Sequence, residues 1–387
     1  MLLDLCVYLA VFAFSAVMIA LYQKTYKTVR IKKHKNELYS GKRINDFFYY
    51  IIGCIFLFPI IAMYGLRYGI GTDYYSYENI YNTLHGASFS DYWVMHKKSA
   101  GAYYVEPLYF LLNKMAPSYR ILLWIIGVLI FILVFIALKE YAYEISFPLS
   151  LIIFLSTQFI YSLNAVRFAV ALCFVLHAYI ALSNNKIVRF FVFVILATLF
   201  HTSMILCVAM FFLKEFKSVR ANVIRNVLLI LFVIIFPLIG KGLFSLISGV
   251  PLFGRYFSTD VYTVSGTAQV GVTWLLHIVP VILPLIILCW KELNCNDNTK
   301  VFFRIAIMEI PFRIIGFYNT WFTRYARCAQ IIQVILIPLV LARITDKRKR
   351  VALTIYYVAW YIFYFGYYAI VNDQGGSLPY VWVFSNI

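Results

Sequence analysis

Apolar runs of about 18 residues or more, such as LLDLCVYLAVFAFSAVMIALY at 2–22, recur along most of this chain. A helix of about 20 residues is 30 Å long, the thickness of a bilayer's hydrocarbon core, and satisfies its own backbone there. Only 13% of the residues are charged, against about 25% in soluble domains. The pattern predicts an all-α, polytopic transmembrane helical bundle in a single integral membrane domain, 1–387. A membrane β-barrel would show alternating segments of about ten residues, and that alternation is absent.

The first run lacks a basic leader and a small-residue cleavage site, so it is expected to be a retained helix. Seven cysteines are scattered without a C-x-x-C pair, which reads as small buried side chains, not a disulfide frame or a metal site. The net charge of +18 does not point to nucleic acid. Basic residues cluster in the short links between apolar runs, as they do in cytoplasmic loops.

Those links set the topology. QKTYKTVRIKKHKNELYSGKRIN carries eight Lys and Arg and is placed inside, so the N-terminus lies outside. A second helix, 46–66, delivers RYGIGTDYYSY to the outer face. A loop with an interfacial helix follows over 67–118. Helices are then expected at 119–138, through FPLSLIIFLSTQFIYSL to NAVR, and down to SNNKIVR. The run VRFFVFVILATLFHTSMILCVAMFFLKEFKSVR keeps every later basic link inside if it makes two short passes meeting near His201. Further helices at 227–246, 272–290, 301–318, 326–343 and 351–370 bring the total to about twelve, some short or re-entrant, with a second outer loop at 247–271. The cytoplasmic links then hold 23 of the 34 basic residues.

Seven of the remaining eleven are arginines: Arg67, Arg120, Arg167, Arg255, Arg313, Arg324 and Arg327. A charge at the centre of a membrane helix costs about 2.5–3.5 kcal/mol on insertion scales, so such residues have a partner or a task. Snorkelling to headgroups explains one or two of them. Arginine's planar fork suits phosphate oxygens and keeps its charge at any relevant pH. No Walker-type Gly-Lys loop is present, which argues against a nucleotide. A lipid-linked pyrophosphate fits instead, with Arg67, Arg167, Arg255, Arg324 and Arg327 as candidate contacts. Tyr74 and Tyr77 are candidates for stacking on its sugars, the alternative being the ordinary aromatic belt.

Three residues are candidate acids or bases for moving a hydroxyl proton. Asp73 either caps the helix YYSYENIY or pairs with Arg67, or works directly on substrate. Glu106 before Pro107 either places a favourable charge at a helix start or works directly. His201 is an acid, base or phosphate contact, or else makes a structural hydrogen bond. His177 and His277 read as structural, and Glu309–Arg313 as a pair one turn apart. No spacing calls for a metal, and no cofactor is expected.

The ordered set R-Y-G-x-G-T-D-Y-x-x-Y, E-P-L-Y, N-A-V-R-F-A-V-A and F-H-T-S, closed by LPYVWVF at 378–384, resembles the EpsG-like branch of Wzy polysaccharide polymerases. One departure is Phe168, where such proteins often carry Gln. The resemblance implies a GT-C-like integral membrane glycosyltransferase in the bacterial inner membrane. Its active site would face the periplasm or outside, in O-antigen, capsule or exopolysaccharide biosynthesis. It would transfer a growing glycan from undecaprenyl pyrophosphate to a lipid-linked repeat unit. The implied partners are undecaprenyl-pyrophosphate-linked oligosaccharides, membrane lipid, a Wzz-like chain-length regulator and a Wzx-like flippase, with no nucleic acid. A flippase would instead carry mid-membrane charges and two related halves. An O-antigen ligase shares the donor and is separated by the motifs alone.

Overall fold

The computed structural model describes residues 2–37, 51–53, 55–92, 105–247, 278–316, 322–371 and 376–386. Among them the chain is helical, with one isolated β-bridge. Two compact units share the chain: Met1–His177, Phe193–Ile205 and Thr354–Ile387 form the first, Ala178–Val192 and Leu206–Leu353 the second.

The first unit is built on α1 (Leu2–Glu37), α2 (Phe58–Gly65), α3 (Tyr74–His85), α4 (Pro107–Met115), α5 (Tyr119–Glu140) and α6 (Phe147–Asn164). Ser118 caps α5, its Oγ accepting from the Ile121 N–H at 3.3 Å. The 22 residues of α5 rise about 33 Å, enough to cross a bilayer. Its turn into α6 is closed from α1 by the buried amide of Gln23. That amide donates to the carbonyls of Ala142 (2.8 Å) and Ile145 (2.7 Å) and accepts from the Phe147 N–H (3.0 Å). A single buried side chain thus satisfies three backbone groups of the turn. Small residues let the helices approach: Gly65 lies against the Trp124 indole, and Gly127 against Tyr64. The core is aromatic, with Phe12 4.8 Å from Phe365 and Tyr8 5.4 Å from Tyr380 between ring centroids.

The chain continues as α7 (Val166–Ser183) and α8 (Ile187–Phe200), then a 3₁₀ helix, Thr202–Leu213. The expected break near His201 is present: α8 stops at Phe200 and a helix of different geometry starts at Thr202. Twelve residues is long for a 3₁₀ helix, whose runs rarely exceed three or four.

In the second unit, α9 is Val219–Ile247, α10 Val279–Leu288, α11 Trp290–Leu293, α12 Asp297–Ile307, α13 Glu309–Ile315 and α14 Phe322–Arg343. The helix expected over 301–318 is two pieces that break at Met308. Glu309 and Arg313 pair as read from their spacing, at 3.1 Å, and Gln333 donates to the other Glu309 oxygen at 2.8 Å. A last helix, α15 (Lys347–Gly366), ends in a π-helical turn, Tyr367–Val371.

Among the described residues six helices are long and apolar enough to cross a membrane. Three shorter apolar ones, Ile187–Phe200, Thr202–Leu213 and Val279–Leu288, accompany them. The chain is therefore a multi-pass membrane protein, helical throughout its described elements. The loop expected over 67–118 contains α3 and α4, whereas nearly all of the one expected over 247–271 lies outside the described residues.

Candidate functional site

The turn Arg67–Asp73 leaves α2 and enters α3. Gly69 (φ +63°) and Gly71 (φ +108°) give it a left-handed backbone that side chains avoid. A Cβ on Gly71 would sit 2.7 Å from the Leu163 carbonyl oxygen. Gly71→Ala is therefore expected to cost at least the roughly 1–3 kcal/mol of a strained backbone position. A lowered unfolding temperature of the purified protein is the readout, and an unchanged one would refute the close approach.

The turn is held against the end of α6. The last carbonyls of a helix lack intrahelical partners, and the chain departs from helix at Ala165 (φ −89°, ψ 63°). Tyr64 donates its hydroxyl to the Ser162 carbonyl at 2.9 Å, and Arg67 Nη1 donates to the Leu163 carbonyl at 2.9 Å. The Asn164 Oδ1 accepts from Thr72 Oγ1 at 3.2 Å and from the Asp73 N–H at 3.5 Å. Arg120 Nη1 donates to the Arg67 carbonyl at 2.7 Å. The Arg67 guanidinium is fully buried and lies 4.4 Å from the centre of the Tyr64 ring. Among the described residues it forms no ion pair, Asp73 included. Its charge faces the negative end of a helix dipole instead.

The C-terminal stretch closes over this turn. Trp382 bridges Arg67 in antiparallel fashion, with the Tyr68 N–H donating to Val381 and the Val383 N–H to Leu66, both at 3.0 Å. Tyr380 donates its hydroxyl to the Met63 carbonyl, and Tyr8 to that of Ser377. The seating of this turn is thus shared between residues more than 300 positions apart.

Three residues beyond Asn164, Arg167 opens α7. Its Nη1 donates to Glu106 Oε2 at 2.7 Å, a charge-assisted bond. The guanidinium carbon lies 5.9 Å from the Tyr77 ring centre and 5.8 Å from that of Tyr109. The Arg167 side chain keeps 21% of its surface exposed, whereas Glu106 keeps 5%. Glu106 is extended at the residue before α4 and makes no cap of its own helix. Its Oε1 instead accepts from the Thr202 N–H at 3.0 Å, so the carboxylate sits at the start of the 3₁₀ helix. With both oxygens engaged by donors, Glu106 is an orienting anion more than a free base.

Next to Thr202, His201 Nδ1 and Ser203 Oγ share a hydrogen bond of 2.9 Å, and the Phe168 ring meets the imidazole edge-on at 5.5 Å. The ring is half-buried and held from two sides. Phe168, noted as a departure from the resembled motif, thereby packs against the candidate base.

The other sequence candidates fall as follows. Asp73 is exposed at the start of α3 and its side chain makes no capping bond. Tyr77 is buried beside Arg167, and Tyr74 is buried in a cluster with Tyr68 and Tyr119. Burial raises the pKa of the phenols of Tyr74 and Tyr109, so both stay protonated through neutral pH. Arg324 and Arg327 belong to the second unit, where Arg327 is buried. Arg255 and His277 lie outside the described residues. His177 bonds the Leu133 carbonyl at 2.9 Å, as a structural histidine does. Residues that sequence reasoning left unassigned are Tyr109, Asn164, Thr202 and Ser203. All four sit inside the quoted motifs, which was the available signal.

Searches of curated proteins and of solved structures gave no match. A model described as the EpsG family matches residues 50–382, a span that takes in the R-Y-G, E-P-L-Y, N-A-V-R and F-H-T-S stretches gathered around Arg67 and Arg167, and the chain belongs to that family.

Proposed function

We propose that this protein is a Wzy-type polysaccharide polymerase. It transfers a growing glycan from undecaprenyl pyrophosphate to the terminal sugar of a lipid-linked repeat unit at the outer face of the bacterial inner membrane. The observation that carries this reading is that Glu106 bonds both Arg167 and the Thr202 N–H, which brings Arg167 to the turn that carries His201, the residue before Thr202. A GT-C-like bundle of about twelve passes, and work beside a chain-length regulator and a flippase, belong to the same proposal.

The acceptor hydroxyl oxygen attacks the anomeric carbon of the donor sugar, and the bond to the pyrophosphate oxygen breaks. The hydroxyl proton passes to the His201 imidazole, and undecaprenyl pyrophosphate leaves carrying the electron pair. Negative charge grows on that leaving group, so a preorganised guanidinium helps the transition state more than the ground state. Arg167 is the arginine suited to this, being partly exposed and fixed by Glu106. Tyr77 and Tyr109 flatten the wall around it. Arg67 supports from behind by locking the end of α6, three to four residues from Arg167.

Deletion of the gene followed by glycan electrophoresis tests the reading. A polymerase defect leaves single repeat units, and that is the expected pattern. Absence of any exported unit would indicate a flippase, and polymer stranded on its carrier would indicate a ligase.

A further inference from the structure

The second unit contains a feature that this chemistry does not use. A cavity of about 800 Å³ lies between the 3₁₀ helix, α9, α13 and α14, within the range of specific ligand pockets. Of its 18 lining residues, Arg225 is the one with a formal charge, and walls such as Phe232, Phe312 and Tyr325 are aromatic. An apolar cavity stays dry. Here it borders a helix long and apolar enough to cross a membrane, with apolar side chains on its surface: Leu228, which lines the cavity, is 60% exposed, and Ile234 and Leu238 on the same helix are exposed too.

One end of the cavity is charged and built. Phe216 forms that end, its backbone pinned in both directions by Asn222, which accepts from its N–H and donates to its carbonyl, each at 2.9 Å. Two cations flank the Phe216 ring, the Lys214 ammonium at 5.3 Å and the Arg225 guanidinium at 5.9 Å from its centre. Arg225 is 6% exposed. Its Nη1 bonds the Lys214 carbonyl, Glu215 and Asn222, while its Nη2 bonds Asn226 alone among the described residues. A guanidinium nitrogen of that kind carries two N–H groups, so one is available. Glu215 is shared with Arg304. Lys217 and Arg220 follow two and five residues after Glu215 and are exposed, so this stretch together with Arg304 carries five cations to one carboxylate.

We propose that this cavity is a binding site for an anionic membrane phospholipid, whose acyl chain fills the apolar part and whose phosphodiester is held by Lys214 and Arg225. Hydrocarbon is the solvent that the cavity opens to, and the excess of positive charge at its end selects an anionic head over a zwitterionic one. The site is independent of the proposed reaction, and its test does not rely on glycan synthesis.

The purified full-length protein is mixed with dioleoylphosphatidylglycerol or dioleoylphosphatidylcholine, and retained lipid is counted by native mass spectrometry. About a tenfold preference for the glycerol lipid is expected from two cations near the head. Lys214→Gln with Arg225→Gln should reduce retention to that of the choline lipid. Because Arg225 also holds the preceding turn, Lys214→Gln alone is a milder control, expected to weaken the preference. Ala209→Trp, at an exposed lining position, should block both lipids while leaving the charges in place. Equal retention of the two lipids, no retention, or a preference for the glycerol lipid that Ala209→Trp leaves intact would overturn the assignment.

Discussion

Glu106→Ala is expected to lower glycan chain extension by about 10²–10³, the cost of losing one preorganised donor at a site of developing charge. The carboxylate does two jobs at once. Through Oε2 it fixes Arg167, and through Oε1 it fixes the Thr202 N–H next to His201. Its removal frees the guanidinium to swing away and loosens the turn that carries the imidazole. Breaking a fully buried ion pair costs about 3–5 kcal/mol of stability. Because Arg167 retains 21% exposure, water takes up part of that cost and the loss should fall mainly on activity. Glu106→Gln separates the two jobs, since an amide oxygen can still accept from Thr202 but does not attract Arg167 as a charge. It should restore the turn without restoring extension. The glycan ladder, compared at matched protein levels, is the measurement. A wild-type ladder from Glu106→Ala would remove the site from consideration.

Arg67→Ala is expected to act differently, through the fold. The guanidinium is fully buried, closes the Leu163 carbonyl and packs on Tyr64. Removing it leaves a cavity as well as an unpaired carbonyl, so a loss of about 3 kcal/mol or more is expected, as for other large buried side chains. The purified variant should unfold at a lower temperature and accumulate poorly. Arg167→Ala should instead keep near-normal stability and lose chain extension. The contrast is decisive. If Arg67→Ala unfolded like the parent and lost only activity, Arg67 would be a substrate contact and the support role assigned to it would fail.

The two arginines show where sequence reading reaches its limit. Both were read as pyrophosphate contacts because a guanidinium near the end of an apolar run needs an anion. A second kind of acceptor, the unsatisfied carbonyls at a helix end, is the one that Arg67 meets. The sequence places the helix end at "NAVR", where the structure has it at Asn164, but gives no sign that the Leu163 carbonyl points at Arg67. The break at His201 was legible because charge balance between loops demanded it. The break at Met308 follows from Pro311, read as a kink in "VFFRIAIMEIPFRII": its ring cannot bond to, and clashes with, the carbonyl four residues back at Ile307, where the first piece ends. Glu106 was read as a helix-start charge or a catalytic group, and the geometry makes it the anchor of two other segments.

Sequence by itself determined the solvent and the secondary structure, because hydrocarbon leaves the backbone no partner but itself and permits only long apolar helices here. It also marked the residues that matter, since polar groups are costly in such a chain and each one stands out. Tertiary structure alone decided which of them meet. A buried charge takes whatever donor or acceptor the packing brings within 3 Å, and that neighbour sits dozens of positions away: Glu106 for Arg167, the Leu163 carbonyl for Arg67.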